Sequence, residues 1–195
     1  MGYYEDETDR KPKDLDISIE NVVASATLDQ EIDLLAIMKV FRNVEYRPKQ
    51  FPGLVFRLKK PKTATLIFGS GKMVCTGAKS EKMAHNAVHK VVEELKNNDI
   101  IILGEPKITI QNIVASANLH CKIDLETAAD IMEDVMYEPE QFPGLIYRMK
   151  EPKVVMLLFA SGKLVCTGAK YEDMVREAVE KLYDVLNDYA LIYWD

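Results

Sequence analysis

The chain has 195 residues, of which 48% are apolar and 29% charged, and its formal net charge is −6. This is ordinary globular composition, and it excludes a collagen-like, disordered or disulfide-stapled chain. No apolar run reaches the ~18 residues that a membrane-spanning helix needs, and the acidic residues 1–16 lack the apolar stretch of a signal peptide.

The sequence contains two copies of one segment, offset by 91 residues without a gap. Residues 17–26, 50–54 and 70–79 match residues 108–117, 141–145 and 161–170, and about 40 of about 79 aligned positions are identical. Two half-domains of common ancestry, packed about a pseudo-two-fold axis, are therefore expected. We predict an acidic flexible tail over residues 1–16, a first repeat over 17–98, a linker over 99–107 and a second repeat over 108–195.

Each repeat has the same predicted order of elements. Alternating apolar residues predict a strand over residues 17–28, and Asp29 to about Arg42 has helical spacing. Three further strands follow, and Ser80 begins a long helix. These strands are predicted around Leu54–Lys59, Thr63–Phe68 and Met73–Thr76. Antiparallel strands with two helices per repeat indicate an α+β fold with the helices on one face of the sheet.

The predicted strands are apolar on both faces. Leu66, Phe68, Val74 and Thr76 share one face, while the alternating positions Thr65, Ile67, Met73 and Cys75 share the other. The second repeat has the same pattern. Because the helices cover only one face, the other is expected to be a working surface or to be hidden by a second molecule.

Basic residues recur at five equivalent positions of the two repeats. The pairs are Arg57/Arg148, Lys59/Lys150, Lys62/Lys153, Lys72/Lys163 and Lys79/Lys170. An apolar strip framed by cations suits nucleic acid, because cations meet phosphates and apolar side chains meet bases or sugars. The alternative is that these residues are ordinary solvated strand ends.

The paired motifs resemble the TATA-binding-protein family. They are the Asn-Val/Ile-Val-Ala-Ser strand, the Phe-Pro-Gly-Leu turn and the Phe-x-Ser-Gly-Lys-x-Val-Cys-Thr-Gly-Ala-Lys segment, and the resemblance spans residues 17 to about 190. The short acidic tail makes the chain similar to archaeal members. The resemblance implies a saddle-shaped, curved ten-stranded antiparallel sheet with four helices on the convex face. Its concave face would sit on the minor groove of promoter DNA.

The family's functional positions carry over residue by residue. DNA-wedging residues would be Phe51, Phe68, Phe142 and Phe159. Base-edge contacts would come from Asn21, Val23, Leu66, Val74, Thr76, Asn112, Val114, Leu157, Val165 and Thr167. Phosphate contacts would come from Arg57, Lys62, Lys72, Lys79, Arg148, Lys153, Lys163 and Lys170, with Lys59 and Lys150 as weaker candidates. Without the repeat, each phenylalanine would be explained by packing and each asparagine by a turn hydrogen bond.

The turns that carry Phe51 and Phe142 differ in charge. Arg47 and Lys49 of the first turn correspond to Glu138 and Glu140 of the second. In the family, the C-terminal turn binds a transcription factor B-type initiation factor, and the two glutamates match that surface. RNA polymerase would be recruited indirectly. Ordinary solvated loop charges are the alternative.

Other motifs carry little signal. His85 and His89 stand four residues apart on a helix, but the second repeat has Arg176 and Glu180 there, so no metal site is expected. Three cysteines without CxxC spacing indicate a reducing compartment. Cys75 and Cys166 are predicted to be buried. No catalytic triad, P-loop or dinucleotide fingerprint is present, so neither enzymatic activity nor a cofactor is expected.

The resulting hypothesis is a cytoplasmic, chromosome-bound initiation factor that recognises and bends TATA-like DNA. A rival is a paralogue of the same fold that binds nucleic acid without promoter selectivity. Another is a small-ligand protein or enzyme using the apolar face as a pocket, although the predicted strands supply no convergent titratable groups there. Free protein is also expected to be able to dimerise through that apolar face.

Overall fold

The computed structural model describes residues 15–194. The predicted acidic tail lies outside that range except for Leu15 and Asp16, and Asp16 is the first residue of a strand rather than part of a tail. The elements of the first repeat are β1 (Asp16–Thr27), α1 (Leu34–Val40), β2 (Val44–Glu45), β3 (Leu54–Lys59), β4 (Lys62–Ile67), β5 (Lys72–Ala78) and α2 (Glu81–Asn97).

The second repeat has the same sequence of main elements. They are β6 (Lys107–Asn118), β7 (Lys122–Ile123), α3 (Leu125–Ile131), β8 (Val135–Tyr137), β9 (Leu145–Met149), β10 (Val154–Leu158), β11 (Lys163–Ala169), α4 (Glu172–Asp188) and β12 (Ile192–Tyr193). Within the described range, residues 99–106 of the predicted linker form neither helix nor strand.

Ten strands form one antiparallel sheet in the order β2-β3-β4-β5-β1-β6-β11-β10-β9-β8, and β7 pairs separately with β12. The two repeats meet at the centre, where β1 runs against β6. There Asn21 pairs with Val114, and Val23 pairs with Asn112. Because each pair joins equivalent positions in reciprocal order, the pseudo-two-fold axis passes between β1 and β6. The predicted α+β architecture is confirmed.

The long helices α2 and α4 cover one face of the sheet. Val88 and Leu95 of α2 are fully buried against this face, as are Val179 and Leu186 of α4. The hydroxyl of Ser80 accepts a hydrogen bond from the backbone N–H of Met83 at 3.0 Å, so α2 begins where the sequence predicted.

The first short helix is much shorter than predicted. The predicted helix began at Asp29, but α1 begins at Leu34, after the Asp33 carboxylate has capped the N–H of Ala36 at 3.2 Å. Before that, the N–H of Ile32 donates to the carbonyl of Gly69. Ile32 is buried by this extended connection, so its apolar character reflects the core and not a helical face. The strands of two or three residues, namely β2, β7, β8 and β12, were not predicted either.

Candidate nucleic-acid interface

The sheet has one face that no helix covers, hereafter the uncovered face. Along β4 and β5, the fully buried Ile67 and Met73 alternate with the half-buried Leu66 and Val74. The same alternation occurs in β10 and β11 of the second repeat. The two-faced apolar pattern of the sequence is therefore explained by one face against helices and one face open.

All the predicted base-edge residues lie together on this face. Leu66 pairs with Val74 across β4 and β5, and Leu157 pairs with Val165 across β10 and β11. The remaining positions are half-buried residues on β1, β5, β6 and β11, namely Asn21, Val23, Thr76, Asn112, Val114 and Thr167. They form a continuous floor of short apolar and hydroxyl side chains through the centre of the sheet.

The four predicted wedging residues form two ring pairs, one in each repeat. The ring centroids of Phe51 and Phe68 are 5.9 Å apart with an interplanar angle of 70°, and those of Phe142 and Phe159 are 5.9 Å apart at 71°. Phe51 is 43% exposed and Phe142 is 40% exposed, although phenylalanine is a residue that proteins usually bury. Within each edge-to-face pair, each ring packs against the other, and the pair is open to solvent on one side.

A glycine fixes each ring pair from behind. A Cβ atom on Gly53 would lie 2.7 Å from Cε1 of Phe51 and 3.1 Å from Cε1 of Phe68. Gly144 has the same distances to Phe142 and Phe159. The sequence indicated only that these Pro-Gly pairs make turns, whereas the structure shows that the glycines make room for the rings.

The two central asparagines are oriented by the backbone. The Oδ1 atom of Asn21 accepts a hydrogen bond from the N–H of Gly77 at 2.8 Å, and that of Asn112 accepts from the N–H of Gly168 at 2.7 Å. Because a backbone N–H can only donate, the oxygen must be the atom facing the glycine, which leaves the NH₂ group to donate elsewhere. Asn112 also donates to Oγ1 of Thr167 at 3.2 Å.

The repeated basic residues all project on the uncovered side. In β3 the buried Phe56 and Leu58 face the helices, so Arg57 and Lys59 face the other way. Lys62 and Lys72 likewise alternate with buried neighbours in β4 and β5. The equivalent residues of the second repeat, with Lys79 and Lys170 at the ends of β5 and β11, are also exposed: Arg148, Lys150, Lys153 and Lys163. The net charge of −6 therefore conceals a face framed by ten cationic positions.

Comparison with known proteins identifies the family. A sequence profile described as "Transcription factor TFIID (or TATA-binding protein, TBP)" matches residues 16–98 and 107–189. The chain belongs to the TATA-binding-protein family. It is 58% identical over 170 residues to the TATA-box-binding protein of Sulfolobus acidocaldarius, covering 87% of this chain and 86% of that protein. Its identity to the TATA-box-binding protein of Pyrodictium occultum is 59% over 169 residues, covering 87% and 85%.

A solved structure shares the fold. The structure titled Methanococcus jannaschii TBP superimposes with a TM-score of 0.82 at 48% sequence identity, covering 89% of this chain and 99% of that chain. The saddle with a curved ten-stranded sheet and four helices on its convex face is thereby confirmed. The uncovered face described above is the concave side of the TATA-binding-protein saddle.

Some of the cations have acidic neighbours. Arg57 lies 3.6 Å from Glu45, and Lys150 lies 3.1 Å from Asp134, whose hydrogen bond and negative charge raise the pKa of Lys150. In contrast, among residues 15–194 the ammonium groups of Lys62, Lys72, Lys153 and Lys163 have no ion pair. Lys59, Arg148 and Lys170 likewise have no ion pair in this range, so seven of the ten repeated cations on this member of the TATA-binding-protein family have no acidic partner at ion-pair distance.

The sequence missed several residues on the uncovered face. Ser116 donates to Oε1 of Glu20 at 2.7 Å, and at the equivalent place Gln111 donates to Ser25 at 2.7 Å. The hydrogen bond from Ser116, together with the nearby charge of Lys79, holds the pKa of Glu20 below its ordinary value. The sequence could have shown that Ser25 and Ser116 lie on the uncovered face, because each stands between two small buried alanines of β1 or β6.

The side chains of Lys79 and Lys170 are hydrogen-bonded to the backbone of β1 and β6, respectively. The Nζ atom of Lys79 donates to the carbonyl of Glu20 at 2.7 Å, and that of Lys170 donates to the carbonyl of Gln111 at 2.5 Å. Lys79 also lies 3.8 Å from the Glu20 carboxylate, whereas Gln111 carries no charge. One acidic residue thus breaks the symmetry of the uncovered face.

The predicted partner-binding glutamates are exposed at the turn before Phe142. Glu138 and Glu140 follow β8, and the carbonyl of Glu138 accepts hydrogen bonds from the N–H groups of Gln141 and Phe142, both at 3.0 Å. The turn therefore presents both carboxylates to solvent while it positions the Phe142 ring.

The remaining histidines and cysteines singled out in the sequence lie outside this interface. Residues 15–194 contain no group of three or more His, Cys, Asp or Glu side chains that could hold a metal ion. His85 and His89 lie on α2, on the helix-covered side of the sheet. Cys75, Cys121 and Cys166 are buried free thiols, and burial raises the pKa of Cys166 to about 11. None of the helices in this range is long and apolar enough to cross a bilayer.

Proposed function

We propose that this protein is a general transcription initiation factor that binds the minor groove of TATA-like promoter DNA. Its role is binding and not catalysis. The uncovered face carries the proposal, because it combines an apolar floor, a ring pair near each end and a frame of cations. Shared family membership with proteins named TATA-box-binding protein supports it.

The phenylalanine pairs are suited to kink the DNA. Unstacking a base step costs a few kcal/mol, and an apolar ring inserted at the step replaces part of the lost contact, as is known for minor-groove proteins of this family. Phe51 with Phe68 would open one step, and Phe142 with Phe159 would open another. Because Gly53 and Gly144 hold the rings close together, each pair would act as one rigid wedge.

The asparagines favour A·T pairs at the centre of the site. The minor groove of an A·T pair offers only acceptors, whereas a G·C pair adds an amino donor. The NH₂ groups of Asn21 and Asn112 point away from the glycines and can donate to these acceptors. Val23, Val74, Val114 and Val165 would exclude a guanine amino group by steric contact, and Leu66, Leu157, Thr76 and Thr167 would complete the surface against the base edges.

Phosphate contacts would supply most of the affinity. The eight best candidates for phosphate contacts are Arg57, Lys62, Lys72, Lys79, Arg148, Lys153, Lys163 and Lys170. Lys59 and Lys150 are weaker candidates. About eight contacts would lower affinity by about 10³–10⁵-fold between about 50 and 200 mM salt. Affinity that is independent of salt would contradict this part of the proposal.

A bending assay tests the proposal directly. A duplex with a TATA-like box and a scrambled duplex containing G·C pairs, each with a donor and an acceptor dye at its ends, are titrated with protein at fixed salt. Tight binding of the first with a large rise in energy transfer is expected, and Phe68→Ala and Phe159→Ala should reduce the rise. Equal, weak binding of both duplexes without bending would favour a nucleic-acid-binding paralogue that lacks promoter selectivity.

The second repeat is also proposed to recruit a transcription factor B-type partner through Glu138 and Glu140. RNA polymerase would follow indirectly. The exposed acidic turn is complementary to a basic patch on such a partner, and the first repeat offers Arg47 and Lys49 instead. A nearly symmetric protein would thereby bind its partner at one end only.

Charge reversal tests the recruitment. Glu138→Arg with Glu140→Arg should leave duplex binding unchanged and abolish the ternary complex in a gel shift with the factor. Arg47→Glu with Lys49→Glu, at the equivalent turn, is the matched control and should still form the ternary complex. Normal recruitment by the first double variant would remove Glu138 and Glu140 from the partner surface.

A further inference from the structure

The two outer edges of the sheet carry opposite charge. The basic edge, residues 38–50, contains the end of α1, β2 and the following turn, with four basic side chains and one acidic side chain, a net charge of +3. The acidic edge, residues 129–141, contains the equivalent elements with five acidic side chains and no basic one, a net charge of −5. Shared ancestry explains the shared fold but not this inversion, and the partner surface proposed at Glu138 and Glu140 accounts for the acidic turn but not for the basic charge of the other edge.

The inversion occurs position by position. Lys39 corresponds to Asp130 and Arg42 to Glu133, in addition to the two pairs in the turns. Among residues 15–194, neither Lys39 nor Arg42 forms an ion pair, and the same holds for Asp130 and Glu133. These four charges are thus available to a second molecule.

Each edge also exposes large apolar side chains. On the basic edge and the adjoining turn of α1, Leu35 is 53% exposed, Met38 is 42% exposed and Val40 is 48% exposed. On the acidic edge, Ile131 is 44% exposed and Met136 is 55% exposed. Apolar side chains surrounded by one sign of charge are typical of an interaction site.

The two edges cannot neutralise each other within one molecule. They flank β2 and β8, which are the outermost strands of the ten-stranded sheet. Nine inter-strand spacings of about 4.8 Å place these strands about 43 Å apart along the sheet. That separation is several times the screening length of about 8 Å at physiological salt, so each edge can attract only a group from outside.

We infer that a second copy of this chain binds there, with the basic edge of one molecule against the acidic edge of the next. This occupant fits both features, since it brings opposite charges together around facing apolar side chains. The contact joins different surfaces of the two molecules, so it is head-to-tail and can extend beyond a dimer. It leaves the concave face open, but it uses the edge that contains Glu138 and Glu140, so a transcription factor B-type partner bound at those glutamates would compete with it.

Sedimentation velocity on the full chain tests the inference at low salt. The weight-average sedimentation coefficient should rise with protein concentration, and it should fall to the monomer value as salt is added. Lys39→Asp with Arg42→Glu changes the basic edge from +3 to −1, so both edges are then acidic, and Asp130→Lys with Glu133→Arg reduces the acidic edge from −5 to −1. Because each substitution installs the residue type or charge that the other repeat carries at that position, both variants are expected to fold.

The decisive experiment mixes the two variants. Each alone should associate at least about tenfold more weakly than the unaltered protein, and the equimolar mixture should regain association. Lys82→Glu with Arg176→Glu, on the helix-covered side, is the matched control and should behave as the unaltered protein. A fluorescent label on each variant distinguishes mixed from self-contacts.

Several results would overturn the inference. A chain that stays monomeric at every concentration, or a mixture that does not regain association, would exclude the head-to-tail contact. If self-association is unchanged in the charge-reversal variants but is lost when a TATA-like duplex is added, the contact lies on the concave apolar face. A loss of duplex affinity in the Lys39→Asp, Arg42→Glu variant, with association unchanged, would assign the basic edge to DNA.

Discussion

The amide oxygen of Asn21 accepts a hydrogen bond from the backbone N–H of Gly77 at 2.8 Å, so the same side chain holds two strands and presents its NH₂ group outward. The sequence offered two separate explanations for this asparagine, a structural hydrogen bond or a base contact. The structure shows that the first creates the condition for the second, because the glycine N–H fixes which end of the amide is exposed.

Replacing both central asparagines by aspartate should weaken DNA binding strongly without unfolding the protein. In Asn21→Asp with Asn112→Asp, one carboxylate oxygen still accepts from the glycine N–H, but the other faces acceptors and phosphates in place of a donor. We expect affinity for a TATA-like duplex to fall by about 100-fold or more, at about 1–3 kcal/mol per lost base contact. Fluorescence anisotropy measures the affinity, and Asn86→Asp with Asn97→Asp, at exposed positions of α2, is the control for two added negative charges.

Adding a methyl group behind a ring pair should reduce DNA bending more than DNA binding. In Gly53→Ala or Gly144→Ala, the new Cβ would lie 2.7 Å from a phenylalanine ring and force that ring aside. The energy-transfer change of a doubly labelled duplex should shrink at saturating protein. Gly104→Ala, where the added Cβ meets no atom within 4 Å, should leave the change intact. Unaltered bending in both ring variants would show that the pair need not be rigid.

The internal repeat explains why so much of the fold and site could be predicted. A residue type retained in both copies despite about half the positions differing indicates a shared constraint, and this located the five pairs of cations, whereas the roles of the phenylalanines and asparagines came from the family resemblance. The repeat did not reveal Glu20, because its copy is Gln111 and only the tertiary hydrogen bond with Ser116 shows its place. Likewise, Ile32 has helical spacing, but its burial depends on a contact with the distant Gly69 turn.

Removing a buried hydroxyl from the first repeat should stabilise the protein. Thr65 is fully buried, and among the described residues its hydroxyl makes no ordinary hydrogen bond and has only the thiol of its cross-strand neighbour Cys75 as a weak partner. The equivalent residue of the second repeat is Met156, which is also fully buried. Thr65→Val should therefore raise the free energy of unfolding by about 1 kcal/mol. Thermal unfolding should show Tm higher by about 2–4 °C.

The control for that prediction is Thr109→Val, at an exposed position of β6, which should change stability by less than about 0.5 kcal/mol. Duplex affinity should be the same for Thr65→Val and the unaltered protein, because Thr65 faces the helices. A loss of stability in Thr65→Val would mean that the thiol of Cys75 is a better partner for the hydroxyl than a thiol usually is.

Neutralising Glu20 should strengthen DNA binding and make the two repeats more alike. Glu20→Gln installs the residue of the second repeat, removes the only acidic neighbour of Lys79 among the described residues, and takes a negative charge off the face proposed to meet phosphates. We expect affinity to rise about three- to tenfold at low salt, with a smaller gain at high salt. Glu93→Gln, on the helix-covered side, should leave affinity unchanged.

The acidic side chain also predicts how binding depends on pH. Ser116 and Lys79 hold the pKa of Glu20 below its ordinary value in the free protein, so the carboxylate is charged at neutral pH. DNA phosphates would disfavour that charge and raise the pKa of Glu20 in the complex, so binding takes up a proton and strengthens as the pH falls towards the acidic range. Glu20→Gln should flatten this rise in an anisotropy titration from about pH 7 to about pH 4, because the rise begins near the pKa of Glu20 in the complex and levels off only below its lowered pKa in the free protein. An identical pH profile for both proteins would place Glu20 away from the bound DNA.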